Sequence, residues 1–197
     1  MEIKTHTGTA ILPYIEVLAN WRIEFFKVFP YLYDGTLAYE QGYISGYAEG
    51  KDAMLVTVHE DNEVVAIASG IALLSEHDIV ADATSQLAGL VNINTTAYLG
   101  EIIIQPAFRG KGLSKQIIAT LERFYKNLGY SHTCFLTVIR EKHPMEPVGY
   151  VDPQVFWGPQ GYIKTNITTI FNWPTIQPEG QVIDAENELV YWVKTLD

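Results

Sequence analysis

Between Tyr98 and Tyr130 the sequence runs YLGEIIIQPAFRGKGLSKQIIATLERFYKNLGY, a strand, a tight glycine turn and a long amphipathic helix in immediate succession. Leu99 to Gln105 reads as the strand, and the unbroken run Ile102-Ile103-Ile104 implies burial on both faces. Pro106 ends it, having no N–H to give to a ladder. Gly110 and Gly112 let the turn adopt dihedrals closed to other residues and approach a ligand closely. From Leu113 the apolar residues recur at helical spacing, through Ile117, Ile118, Leu121, Phe124, Tyr125 and Leu128. Glu122 and Lys126 form an i,i+4 pair on the outer face, and Gly129 is placed to cap the C-terminus.

The start of that helix presents unpaired N–H groups and the positive end of the helix dipole, a combination that binds phosphate. Arg109, Lys111 and Lys115 add positive charge there, although the chain as a whole carries a formal net charge of -10. A local basic site on an acidic protein suits a small polyanion better than a nucleic acid. The plainer alternative is a solvated basic turn joining a strand to a helix.

The remaining chain has the composition of a globular domain, with 48% hydrophobic and 18% charged residues over 197 positions. A lone cysteine, Cys134, excludes an internal disulfide and a cysteine-rich zinc site. The start lacks the pattern of a signal peptide, and Val64–Leu74 is too short and interrupted to span a bilayer, so a cytoplasmic setting with neither membrane nor nucleic acid as partner is expected. The acidic balance is compatible with a cationic amine.

Element by element, a short strand is expected at Glu2–Lys4, a helix from Pro13 to Val28 and a second from Thr36 to Ala48. A hairpin of Ala53–His59 and Glu63–Leu73 turns at Glu60-Asp61-Asn62. A helix or long loop covers Ser75–Leu90, starting near Ser75 or His77. After the central unit come a buried strand (Thr133–Arg140), a proline-rich loop (Pro144–Pro153), a short helix (Val155–Gln160) and strands at Ile163–Asn172 and Leu189–Val193. This order predicts an α/β (α+β) fold: one domain over residues 1–197, with a mixed central sheet and helices on both faces.

The order strand, Arg-x-x-Gly-x-(Gly/Ala), helix, met here as Arg109, Gly112 and Ser114, resembles the acetyl-CoA-binding motif of the GNAT superfamily of N-acetyltransferases, with Ser114 where Gly or Ala is usual. Element order from Met54 to Ile170 agrees, as does Gly161-Tyr162 after the short helix, and FPYLYDG with the long loop resembles uncharacterised bacterial members. The resemblance implies a GNAT-like, mostly antiparallel sheet whose middle strands splay. It implies acetyl-CoA as co-substrate, no metal, and an N-acetyltransferase acting by direct attack of a primary amine in a ternary complex. Cofactor contacts are then expected from Ile102, Ile103 and Ile104 and from the loop Arg109, Gly110, Lys111, Gly112, Leu113, Ser114 and Lys115, with Ile103 or Ile104 N–H groups on the oxyanion.

Glu101 is the candidate general base: strand alternation puts it on one face with Ile103 and Gln105, and a carboxylate in an apolar strand loses solvation. The competing reading pairs it with an arginine or lysine. The tyrosine that commonly serves as acid in the family is replaced by Trp157, whose indole N–H is a donor but no acid. Tyr150, His143 and Tyr162 are the alternatives. Tyr31, Tyr33 and Asp34 are candidates for the amine pocket, since aromatic walls with a carboxylate suit a cation. A non-catalytic acyl-CoA sensor on the same scaffold is the alternative function. The oligomeric state, monomer or homodimer, stays open. The glycine turn fits neither a Walker A loop nor a Rossmann fingerprint, the histidines lack metal-ligand spacing, and Cys134 in a buried strand reads as packing.

Overall fold

The computed structural model describes residues 1–76, 80–152 and 154–196. Seven strands form one sheet in the order β1-β2-β3-β4-β5-β7-β6. They are β1 (Glu2–Thr7), β2 (Met54–Glu60), β3 (Glu63–Ala72), β4 (Thr96–Ile104), β5 (His132–Val138), β6 (Ile163–Ile176) and β7 (Val182–Thr195). Every pairing is antiparallel except β4 with β5. Helices α1 (Ile15–Phe26), α2 (Leu37–Glu49), α3 (Val80–Leu87), α4 (Leu113–Asn127) and α5 (Gln154–Trp157) cover the sheet. Among the described residues no helix is long and apolar enough to cross a membrane.

Alternation along the strands sorts the core. Val56, Val58, Ala66 and Ala68 pack beneath the stripe Leu113, Ile117, Ile118, Leu121 and Tyr125 of α4. Leu55 and Ile67, one residue out of phase, pack with Leu18 and Ala19 of α1 and Ile44 of α2. The β2–β3 hairpin turns at Asp61 and Asn62, both at positive φ (50° and 70°), which these side chains tolerate and the twist of a hairpin favours. Thr36 caps α2 by accepting the Tyr39 N–H at 3.4 Å.

Two features of β4 position the site. Leu99 packs on the α4 side and Ile103 on the α1/α2 side, although they are four residues apart. The pairing accounts for this: Ala68 faces Ile102 and Gly70 faces Leu99, so Ser69 alone opposes Gly100 and Glu101. That bulge turns Glu101 and Ile103 to the α1/α2 face. A Cβ on Gly100 would lie 2.3 Å from Ser69 Oγ, which explains the glycine. The second feature is the splay: β4 and β5 pair only at Thr96–Tyr98 with His132–Cys134, then diverge.

The C-terminal hairpin is longer than its sequence advertises. β6 continues four residues beyond Asn172, through Pro174, and β7 begins at Val182 rather than Leu189. β6 is an edge strand, where a proline need not donate to a ladder, and the polar run Asp184–Glu188 belongs to a half-exposed arm. β1 likewise extends from Lys4 to Thr7, and α3 is a helix; of its two expected starts, Ser75 ends a short 3-10 turn before it and His77 lies outside the described residues.

Candidate active site

The turn into α4 is built on left-handed glycines, Gly110 at φ 72° and Gly112 at φ 77°, and a Cβ on either meets nothing within 4 Å. Dihedral freedom, not space, therefore requires glycine here. Among the described residues no side chain caps α4, and no acidic residue stands in its first turn, which leaves its opening N–H groups without a side-chain acceptor there. Lys111 and Lys115 are exposed beside them, Lys111 with its ammonium 4.7 Å from the Phe108 ring. Arg109 is tied inward: its Nε donates to the Ile104 carbonyl at 2.9 Å and its guanidinium lies 5.4 Å from the Phe25 ring. It locks the turn to the end of β4.

The splay opens a cavity of about 550 Å³, lined by Leu99–Ile102 of β4, Phe135–Val138 of β5, Trp157 and Tyr150. Gln105 donates its N–H to Val65 of β3 at 3.0 Å, so by ladder alternation Ile103 also faces β3. Ile102 and Ile104 point their amides the other way, into the gap. Next to it, on the α1/α2 face of the sheet, a second cavity of about 390 Å³ is walled by Arg22, Tyr33, Tyr43, Glu76, Tyr98 and Trp173, among others. Four residues line both cavities: Phe26, Tyr31, Gly100 and Leu136. The sheet is thus breached between Gly100 and Leu136, each two residues past the last β4–β5 pair.

Glu101 is buried and, of the two readings of the sequence, the one that pairs it with a cation holds: Arg22 of α1 donates from Nη1 to Glu101 and from Nε to the buried Glu40 of α2. Burial works against the guanidinium's charge, but Glu101, Tyr43 and Glu40 hold it well above its ordinary value. Arg22 also lies 4.6 Å from the Tyr43 ring and 5.1 Å from Phe26. Tyr43 donates to the buried Glu76 at 3.3 Å, and burial together with Glu76 pushes its phenol well up.

Tyr31 stacks on Phe26 at 4.5 Å and stands at the breach. Tyr33 and Asp34 line the second cavity, with Asp34 3.9 Å from Lys27 at its rim. Tyr150 lines the first, edge-on to Phe29 at 4.7 Å. Burial, then Asp152, pushes its phenol up to about 12. His143 is near the same ring at 6.0 Å, but the residues lining the cavity do not include it. Burial and then Arg140 lower its pKa. Tyr162 is a packing residue: buried against Phe135, it donates to Glu122 at 2.9 Å. Glu122 also binds Lys194 of β7 at 2.7 Å, reaching across to the sheet. Trp157 packs on Phe135 at 4.3 Å in the cavity wall.

Several of these groups lie where sequence reading did not look. Arg22 sits between Trp21 and Ile23 in an apolar helix, and a lone cation there was the available sign of a buried partner. Glu40 and Glu76 carried no such mark. Phe171 and Trp173 of β6 come to the second cavity because the β6 arm is bonded to the loop after α1: Asp34 N–H to Pro174 O at 2.9 Å, Ile176 N–H to Leu32 O at 2.8 Å and Trp173 Nε1–H to Tyr31 O at 3.2 Å.

Residues 57–146 match the family described as acetyltransferase (GNAT) domain. No curated protein matches the sequence. Solved structures of the same fold include the ribosomal-protein-alanine N-acetyltransferase from Brucella melitensis, at 13% identity, 100% coverage of both chains and a TM-score of 0.60. An N-acetyltransferase from Staphylococcus aureus Mu50 is similar at 11% identity, with 100% of both chains covered and a TM-score of 0.60. The ribosomal-protein-S18-alanine N-acetyltransferase from Escherichia coli aligns over 100% of this chain and 95% of its own, at 12% identity and a TM-score of 0.57.

Proposed function

The chain belongs to the GNAT superfamily of acetyltransferases, and we propose that it transfers the acetyl group of acetyl-CoA to a primary amine by direct attack in a ternary complex. The observation that carries this is the opening between Gly100 and Leu136, where the cavity in the β4–β5 splay meets a second one walled by α1, α2 and β6. The uncapped N-terminus of α4, with Lys111 and Lys115, fits the pyrophosphate. The gap-facing amides of Ile102 and Ile104 fit the extended arm and the thioester carbonyl. They supply donors where negative charge develops as the amine nitrogen bonds to carbon. The C–S bond then breaks, the nitrogen gives up a proton, and the sulfur leaves as thiolate.

The proton is assigned to Glu101, directly or through water, with Arg22 fixing the carboxylate. Tyr150, protonated at any working pH, is assigned to the thiolate. His143, off the cavity wall, has the weaker claim. A second reading, a non-catalytic acyl-CoA sensor, is favoured by Trp157 in the cavity wall and by the ion pair on Glu101. Calorimetry with acetyl-CoA, followed by thioester turnover with a panel of amines, tests both. Binding that weakens in Gly112→Asp and Arg109→Glu, with turnover, supports transfer. Binding without turnover on any amine favours the sensor, and no binding removes both.

A further inference from the structure

The second cavity has a composition that selects among amines, and this deepens the proposed acetyl transfer and rests on it. Its walls are largely aromatic: Phe26, Tyr31, Tyr43, Tyr98, Phe171 and Trp173 surround about 390 Å³, within the range of small-molecule sites. Its charge is negative. Among the described residues the carboxylates of Asp34 and Glu76 line it, and the cation in its wall, Arg22, is already held by Glu40 and Glu101. Arg22 is the one guanidinium in the wall, and its Nε and Nη1 already hold Glu40 and Glu101. A carboxylate brought in by a substrate would add a third anion around a cation that serves two.

The rim adds a further restriction. A peptide acceptor would add its backbone to a free edge. Here the loop after α1 already has its backbone committed, through Leu32 O and Asp34 N–H, to the β6 arm, with a bridge between Tyr33 and Thr175. The amine end has a defined place, because Gly100 and Tyr31 belong to both cavities, so a nitrogen at the breach leaves the rest of the molecule among the rings.

We infer that the acceptor is a small arylalkyl monoamine without a carboxylate on the amine-bearing carbon, its ring held among Tyr43, Phe171 and Trp173 and its nitrogen at Gly100. The ring faces give the body an apolar, stackable seat that also attracts the ammonium, with Asp34 and Glu76 in the same wall, before it is deprotonated for attack.

The test compares phenethylamine, phenylalanine and putrescine on the full chain. Binding of each is read by calorimetry without nucleotide, and turnover by thioester loss with acetyl-CoA. Phenethylamine is expected to exceed phenylalanine, which differs by the carboxylate alone, by at least about 100-fold in kcat/KM. Putrescine is expected to trail as well. Trp173→Ala should raise the KM for phenethylamine about 10-fold while leaving that for acetyl-CoA unchanged. Because Trp173 also bonds the loop, Tyr39→Ala, at an exposed position on the rim, serves as the second variant and should shift the same KM in the same direction. Phenylalanine or putrescine used as well as phenethylamine, or variants without effect on its KM, would overturn the inference and leave acetyl transfer standing. If acetyl-CoA itself fails to bind, the acetyl-transfer reading falls; binding of phenethylamine in preference to phenylalanine would still support the cavity's selectivity, and no preference would overturn it.

Discussion

Arg22 and Glu101 meet across 79 residues of sequence, and the same guanidinium holds Glu40, so one side chain ties α1 to α2 and to the bulge of β4. Breaking a buried pair from one side leaves charges without a partner, which costs more than the pair itself contributes. Arg22→Met is therefore expected to lower stability by about 3–5 kcal/mol, read by urea unfolding. The triple variant with Glu40→Gln and Glu101→Gln should recover most of that loss. A stable single variant would show that the pair is dispensable.

Glu101→Gln tests the assigned base. The amide keeps the shape of the side chain and a hydrogen bond to Arg22 but takes no proton. The maximal rate should fall about 100-fold or more, with acetyl-CoA affinity unchanged. An unaltered rate would discard the role.

Gly100 and Gly112 are glycines for different reasons, and alanine separates them. At Gly100 the new Cβ would sit 2.3 Å from Ser69 Oγ and 2.8 Å from the Tyr47 hydroxyl, so the bulge must shift. A loss of about 1–3 kcal/mol together with reduced turnover is expected. At Gly112 the Cβ meets open space and the cost is the left-handed φ, so the loss should appear mainly in acetyl-CoA affinity. Equal effects on stability at both sites would contradict this division.

The tyrosines set an alkaline limit. Burial raises the phenols of Tyr43, Tyr47 and Tyr98, and it pushes Tyr150 up to about 12. Between the unfolded value of about 10 and the folded values, the unfolded chain has released protons that the folded one still holds, so stability falls as pH rises. Their contribution is fully present below about pH 10 and declines from there through pH 12. Urea midpoints at rising pH, with tyrosinate absorbance recorded in parallel, should show ionisation of these phenols accompanying unfolding. Free titration near pH 10 in the folded protein would disprove it.

The strand, glycine turn and helix were legible because each obeys local rules: an apolar run, glycine where φ is positive, and apolar residues at helical spacing. Their placement on the sheet followed from element order. What was not legible depends on pairing. The bulge opposite Ser69 is a property of two strands, and neither sequence alone records that Leu99 and Ile103 face apart. A cationic partner for Glu101 was one of two readings of the sequence, but which cation could not be read, because Arg22 lies in a helix of Trp, Ile and Phe. The β7 arm was hidden by its charges, since a half-exposed ribbon needs only alternate burial. Phe171 and Trp173 reached the second cavity through a pairing with the loop after α1 that no spacing announces.

The breach in the sheet also divides inheritance. The splayed strands β4 and β5 and the turn into α4, to which acetyl-CoA is assigned in the proposed function, lie inside the segment that matches the family, residues 57–146. Most of the second chamber comes from α1, α2, the loop between them and β6, which lie outside it. The two chambers meet at Phe26, Tyr31, Gly100 and Leu136, so under the proposed function the outer segments would set the choice of amine without touching the turn into α4. Exchanging those segments between relatives is accordingly a direct way to retarget such a protein.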